Sequence, residues 1–153
     1  MEIERKFVLA APPAGLEQHP HARIEQGYLA LDPNGTEVRL RRMGEDRTLT
    51  IKSGSGLVRT EDVLELGAEH FDALWPLTEG RRIVKTRHRV PLDGGLIAEV
   101  DVYEDALEGL VVAEVEFGDE AASRAFQAAG WLGDEVTGDK RYANRTLAVS
   151  GRP

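Results

Sequence analysis

At 153 residues and a formal charge of −8, the chain is long enough to bury a core without disulfides or structural metal, so one domain spanning 1–153 is expected. The absence of cysteine excludes disulfides, cysteine–zinc sites and thiol catalysis. The acidic balance argues against general affinity for nucleic acid. No apolar run is long enough to span a bilayer, and Glu2 and Glu4 stand where a secretion signal would be basic, so a cytoplasmic protein without membrane partners is expected.

The chain opens with EIERK, which sets Glu2, Glu4 and Lys6 at alternate positions. On a strand these three share one face while Ile3, Arg5 and Phe7 share the other; on a helix only Glu2 and Lys6 pair, on a solvated surface. Residues 10–22 are loop-like, because Pro12, Pro13 and Pro20 interrupt regular structure, with room for a short helical turn. His19 and His21, between and beside these prolines, read as exposed loop, and His70 and His88 as surface. Two-residue alternation marks strands over 2–9, 24–31, 37–43, 47–53, 58–66, 81–92, 96–103 and 110–117. DPNG at 32–35, GED at 44–46, SGSG at 53–56 and DGG at 93–95 supply turns suited to antiparallel hairpins. Helical spacing over 68–77 places Phe71, Leu74 and Trp75 on one face, and 119–129 does the same for Ala122, Ala125, Phe126 and Ala129 before Gly130. Trp75, Phe126 and Trp131 read as core between helix and sheet.

Sorting the strands by face shows a recurrent charged side. It carries Glu2, Glu4 and Lys6, then Arg39 and Arg41, Lys52, Arg59 and Glu61, Lys85 and Arg87, Glu99 and Asp101, and Glu114 and Glu116. Taken singly, each is the polar face of an ordinary antiparallel sheet. Taken together, acidic and basic pairs segregate by strand, and about eight antiparallel strands remove their edges most completely by closing. The expected fold is therefore α+β, mainly β: a closed eight-stranded antiparallel β-barrel, or tunnel, with a charged interior and helices packed outside. Arg and Lys from several strands suit a polyanion, since Arg forks match phosphate oxygens. Carboxylates in the same lumen would repel that anion unless hard cations lie between, and oxygen-only ligation suits Mg²⁺ or Mn²⁺.

Glu2-Ile3-Glu4-Arg5-Lys6 resembles the ExExK signature of the CYTH domain, or triphosphate tunnel metalloenzyme, family. IEQGYL, EVRLR, LTIKSG, IVKTR, AEVDVY, GLVVAEVEF and EVTGDKRYANRTLA look like that family's successive strands and tail. The resemblance implies an eight-stranded tunnel in which Glu2 and Glu4 bind metal with a carboxylate of the eighth strand, Glu116 taken ahead of Glu114. It implies that Lys6, Arg39, Arg41, Lys52, Lys85 and Arg87 bind triphosphate, with Arg59 on a less uniform strand. Glu99 and Asp101 bind or orient a second metal and its water, and Glu4, Lys6 and Glu114 join them at the reacting centre. Val63 occupies an inward position that is polar in some relatives, which weakens a role for Glu61. Of Lys140 and Arg141, in a tail that closes over the tunnel, Arg141 is the candidate contact. The implied activity is divalent-metal-dependent removal of the terminal phosphate of a linear triphosphate, inorganic tripolyphosphate first. Thiamine triphosphatase, nucleoside triphosphatase and adenylate cyclase are alternatives on the same fold. A non-catalytic polyphosphate-binding module is the alternative of another class, and the acidic set, useless to a pure binder, separates the two.

Overall fold

A computed structural model describes residues 3–54 and 60–153. Glu2 and Arg59 lie outside the described residues. Among the described residues nine strands form one sheet, β1 (Ile3–Leu9), β2 (His21–Leu31), β3 (Glu37–Met43), β4 (Asp46–Ser53), β5 (Thr60–Glu65), β6 (Arg82–Pro91), β7 (Ile97–Tyr103), β8 (Val111–Phe117) and β9 (Asp134–Glu135). The hydrogen-bonded order is β5-β4-β3-β2-β6-β7-β8-β1-β9, with every neighbouring pair antiparallel. The eight expected strands are present to within a few residues, and β9 adds a two-residue ninth beside β1. The β3–β4 turn is the two residues between Met43 and its partner Asp46; Gly44 takes φ 61 there, a conformation glycine adopts without a Cβ clash.

Helices α1 (Ala68–Leu74) and α2 (Glu120–Ala125) lie on the apolar face. Pro76 lacks an amide hydrogen, so α1 gives way after Leu74 to a 3-10 turn over Trp75–Thr78. That turn lies so close to β2 that a Cβ on Gly27 would stand 2.6 Å from Thr78. The helix expected over 119–129 ends at Ala125, because Phe126 turns extended. Its ring thereby packs edge-on to Phe7 and Phe117, at centroid distances of 6.4 and 5.2 Å. Phe7, Val100, Val115 and Phe117 centre the main core, with Phe126 and Trp131 packed against it. His88 is buried in the outer face rather than on the surface; its ring stacks 5.3 Å from that of His21, which opens β2.

One helix departs from the expected exterior position. α3 (Asn144–Ser150) packs Leu147 against Ile83, Tyr103 and Val112, which share inward parity with Lys85, Asp101 and Glu114 on their strands. The inner face is thus divided, apolar under α3 and charged beyond it. α3 escaped the sequence reading because NRTLAVS has one large apolar anchor and no capping side chain, so packing rather than local pattern makes it helical.

Candidate active site

The charged half of the inner face surrounds a cavity of ≈ 400 Å³. One wall is a cross-strand row: Lys6 faces Glu114, Glu114 faces Glu99, and Glu99 faces Arg89. Glu4 faces Glu116 in the adjoining position of β1 and β8. The other wall sets Glu37, Lys52 and Glu61 in a second row, with Arg39 and Arg41 following Glu37 along β3. Glu4, Lys6, Arg39, Arg41, Lys52, Glu61, Arg87, Glu99, Glu114 and Glu116 all line the cavity. An adjoining hollow of ≈ 500 Å³ shares Arg39, Arg41 and Glu61 and adds Met43, Val63 and Leu66.

The cations are held in defined ways. Lys6 Nζ donates to Tyr142 O at 3.2 Å and lies 3.5 Å from Glu114 Oε1. Arg41 donates from Nε and Nη2 to Gln26 Oε1 at 3.1 and 3.0 Å. Burial, then the neighbouring charges of Arg39 and Arg87, lowers the Arg41 guanidinium to about 10. Arg87 grips Asp101 with Nε and Nη2 at 2.8 and 2.9 Å, leaving Nη1 3.6 Å from Glu99 Oε2. Burial pulls the Arg87 guanidinium down, but the Asp101 bonds outweigh it and hold it above its ordinary value. Burial pushes the Tyr28 hydroxyl up to about 12, with Glu37 adding to the rise.

Three expected contacts lie elsewhere. Lys85 is 0% exposed, and its Nζ lies 2.8 Å from Asp101 Oδ2. Both residues form the floor under Arg87 rather than the cavity surface, because Asp101 needs two cations to remain ionised in a buried position. Burial lowers the Lys85 ammonium; burial would raise Asp101, but Lys85 and Arg87 overcome it and hold the carboxyl below its usual range. The Arg141 side chain is 69% exposed and forked onto Asp139 at 2.7 Å; Lys140 is exposed as well. Arg145, one turn further on, lines the cavity instead, with Asn144, Tyr28 and Glu37. Glu37 was visible in EVRLR by its shared parity with Arg39 and Arg41. Arg145 had no such signal, because its placement depends on α3.

Among the described residues no three histidine, aspartate or glutamate side chains are gathered closely enough to hold a metal ion, and Glu2 lies outside them. The donor set nevertheless fits one. Glu4 opposite Glu116 and Glu114 opposite Glu99 set acceptor-only carboxylate oxygens side by side on one face, the donor type a hard divalent cation takes.

The CYTH domain model matches residues 1–143, and the chain belongs to that family. Over 149 residues it is 45% identical to an inorganic triphosphatase of Nitrosomonas europaea, covering 97% of each chain. An inorganic triphosphatase of Acetivibrio thermocellus is 36% identical over 148 residues, covering 95% of this chain and 92% of that one. A crystal structure of an inorganic triphosphatase superposes with a TM-score of 0.83 at 40% identity, covering 100% of this chain and 97% of that one. Triphosphatases of this family are generally metal-dependent.

Proposed function

We infer that this chain is an inorganic triphosphatase that converts tripolyphosphate to pyrophosphate and phosphate with a divalent cation, Mg²⁺ or Mn²⁺. The observation that carries the reading is one cavity in which Arg39, Arg41, Lys52 and Arg87 face an acidic row of Glu4, Glu99, Glu114 and Glu116. Neither set alone has a use for the other; a metal-bridged polyphosphate satisfies both. In this reading the sheet closes into the eight-stranded tunnel, which leaves the charged face enclosed.

Arg39, Arg41, Lys52 and Arg87 hold the phosphate chain, with the Asp101 fork fixing the plane of Arg87. Lys6, restrained by Tyr142 O and Glu114, offers a point charge to the terminal phosphoryl group as its charge shifts toward the leaving oxygen. Glu4, Glu114 and Glu116 would hold the cation, and Glu2 completes the motif. When bound, such an ion neutralises the phosphate oxygens and acidifies an attacking water. Glu99 orients that water from the row beside Glu114. Arg59 is assigned to substrate by its motif position.

The adjoining hollow, which adds Met43, Val63 and Leu66 to a lining otherwise of charged residues and threonines, favours a second reading, in which an organic triphosphate such as a nucleoside or thiamine triphosphate places its organic group there. Release of phosphate, pyrophosphate and cyclic nucleotide from tripolyphosphate, ATP and thiamine triphosphate, with each metal, decides between them. Faster turnover of an organic triphosphate than of tripolyphosphate would overturn the first reading.

A further inference from the structure

Arg5 of EIERK points away from the cavity, yet its guanidinium is bonded at all three nitrogens. Arg5 donates from Nε and Nη2 to Glu135 at 2.9 and 2.6 Å, and from Nη1 to Ser123 O and Phe126 O at 2.9 and 3.1 Å. The last two are carbonyls at the end of α2, of which Ser123 O also accepts from the Phe126 amide at 3.4 Å. Glu135 Oε2 also accepts from Thr137 Oγ1 at 2.6 Å, and Thr137 Oγ1 in turn accepts from the Lys6 amide at 3.0 Å. The Lys6 carbonyl accepts from Val136 N at 2.8 Å. A continuous chain of donors and acceptors therefore runs from α2 through Arg5, Glu135 and Thr137 to the backbone of Lys6.

Among the described residues, β9 pairs with β1 only at Phe7 and Val8. On that flank the Glu4–Lys6 stretch is held by this chain and by the Val136 N–Lys6 O bond, while β8 pairs along the other flank. Side chains alternate along a strand, so a rotation of the backbone at Arg5 or Lys6 carries Glu4 and the Lys6 ammonium with it.

We propose that Arg5, Glu135 and Thr137 are positioning residues, which clamp the outer flank of β1 and thereby aim Glu4 and Lys6 into the cavity. The proposal rests on the triphosphatase reading for its kinetic consequence. The hydroxyl of Thr137 is the decisive link, because it donates to a carboxylate and accepts from an amide at once. Valine keeps its shape and can do neither; serine keeps both functions.

The test compares Thr137→Val, Thr137→Ser and Arg5→Lys, reading kcat and KM for tripolyphosphate, melting temperature, and the melting shift produced by tripolyphosphate in metal-free buffer. Thr137→Val is expected to lower kcat by roughly tenfold or more with a smaller rise in KM as Lys6 loses its aim, while Thr137→Ser stays near wild type. Arg5→Lys, which keeps charge but loses the fork, is expected to resemble Thr137→Val. Wild-type kinetics in Thr137→Val would overturn the clamp, as would a Thr137→Ser as poor as Thr137→Val. Should Thr137→Val fail to fold, Arg5→Lys against Thr137→Ser gives the same comparison, and a kcat loss that only follows lost folded protein also overturns it. A wild type inactive on tripolyphosphate sinks the activity reading instead. The clamp is then judged by the tripolyphosphate melting shift, which must be smaller in Thr137→Val than in Thr137→Ser.

Discussion

Glu4 stands directly opposite Glu116 across the β1–β8 pair, two carboxylates of like sign on one face of the sheet. Like charges set directly opposite on a sheet oppose one another by a fraction of a kcal/mol, on the order of 0.2–1, and a cation held between them would turn that opposition into ligation. Glu4→Gln is therefore expected to abolish turnover nearly completely, while leaving circular dichroism unchanged. Mn²⁺ binding followed by water-proton relaxation should weaken in parallel. Retained activity at saturating metal would remove Glu4 from the ligand set.

The cations of the cavity make a second expectation, independent of chemistry. Burial and the charges of Arg39 and Arg87 depress Arg41, so a polyanion should relieve repulsion and stabilise the folded state. A ligand at 100 times its dissociation constant adds about 2.7 kcal/mol, which for this size of domain raises the melting point by roughly 5–10 °C. Tripolyphosphate should produce that shift even in Glu4→Gln, and sulfate at matched ionic strength much less. In Arg39→Ala/Lys52→Ala the shift should largely vanish; an undiminished shift would place those residues off the ligand.

Acid should unfold the protein through the floor of the site. Asp101 is held below its ordinary range by Lys85 and Arg87 against the opposing effect of burial. A depressed carboxyl stabilises fully above its unfolded value, near 4, and that contribution is lost as pH falls toward the folded value. Glu135, lowered to about 2 by Arg5 and Thr137, acts in the same direction but lies on the surface and contributes less. Melting temperature should thus fall steeply below about pH 4. Asp101→Asn should flatten that acid limb, while being less stable at neutral pH because Lys85 and Arg87 lose their counter-charge. An unchanged acid limb in Asp101→Asn would show that other groups govern it.

The strands and their inward parity were legible because β structure writes its faces into alternate residues: EVRLR and AEVDVY state their orientation in the sequence itself. Depth along a strand was not legible. Parity placed Lys85 and Arg87 on the same face, yet two residues of translation, about 7 Å, separate a buried floor cation from a cavity cation. Closeness between the tail and the ExExK strand was equally hidden, since Thr137 and Lys6 meet only through the fold. Arg5 read as the featureless outward partner of two charged neighbours, and its bonds to Ser123 O and Phe126 O explain why the second predicted helix stops early.

The tail supplies the last test. Arg141 has the better motif position, in DKRYAN, but its guanidinium is spent on Asp139 outside the cavity. Arg145 lines the cavity and donates from Nη2 to Asp32 O at 3.0 Å, in the turn between β2 and β3. A cation on α3 therefore closes the ring of basic groups opposite the acidic row, and its loss should weaken binding of the phosphate chain without moving the reacting groups. Arg145→Ala is expected to raise KM for tripolyphosphate by about tenfold, the scale of one charge-assisted hydrogen bond, with kcat changed much less. Arg141→Ala should keep both constants within about twofold, since it loses only an exposed ion pair. Melting temperatures of both variants, measured alongside, separate a binding effect from undocking of α3, which is anchored by Leu147 rather than by either arginine. A larger kinetic loss in Arg141→Ala than in Arg145→Ala would mean that the tail engages substrate in an arrangement other than this one, with Asp139 surrendering its partner to the phosphate.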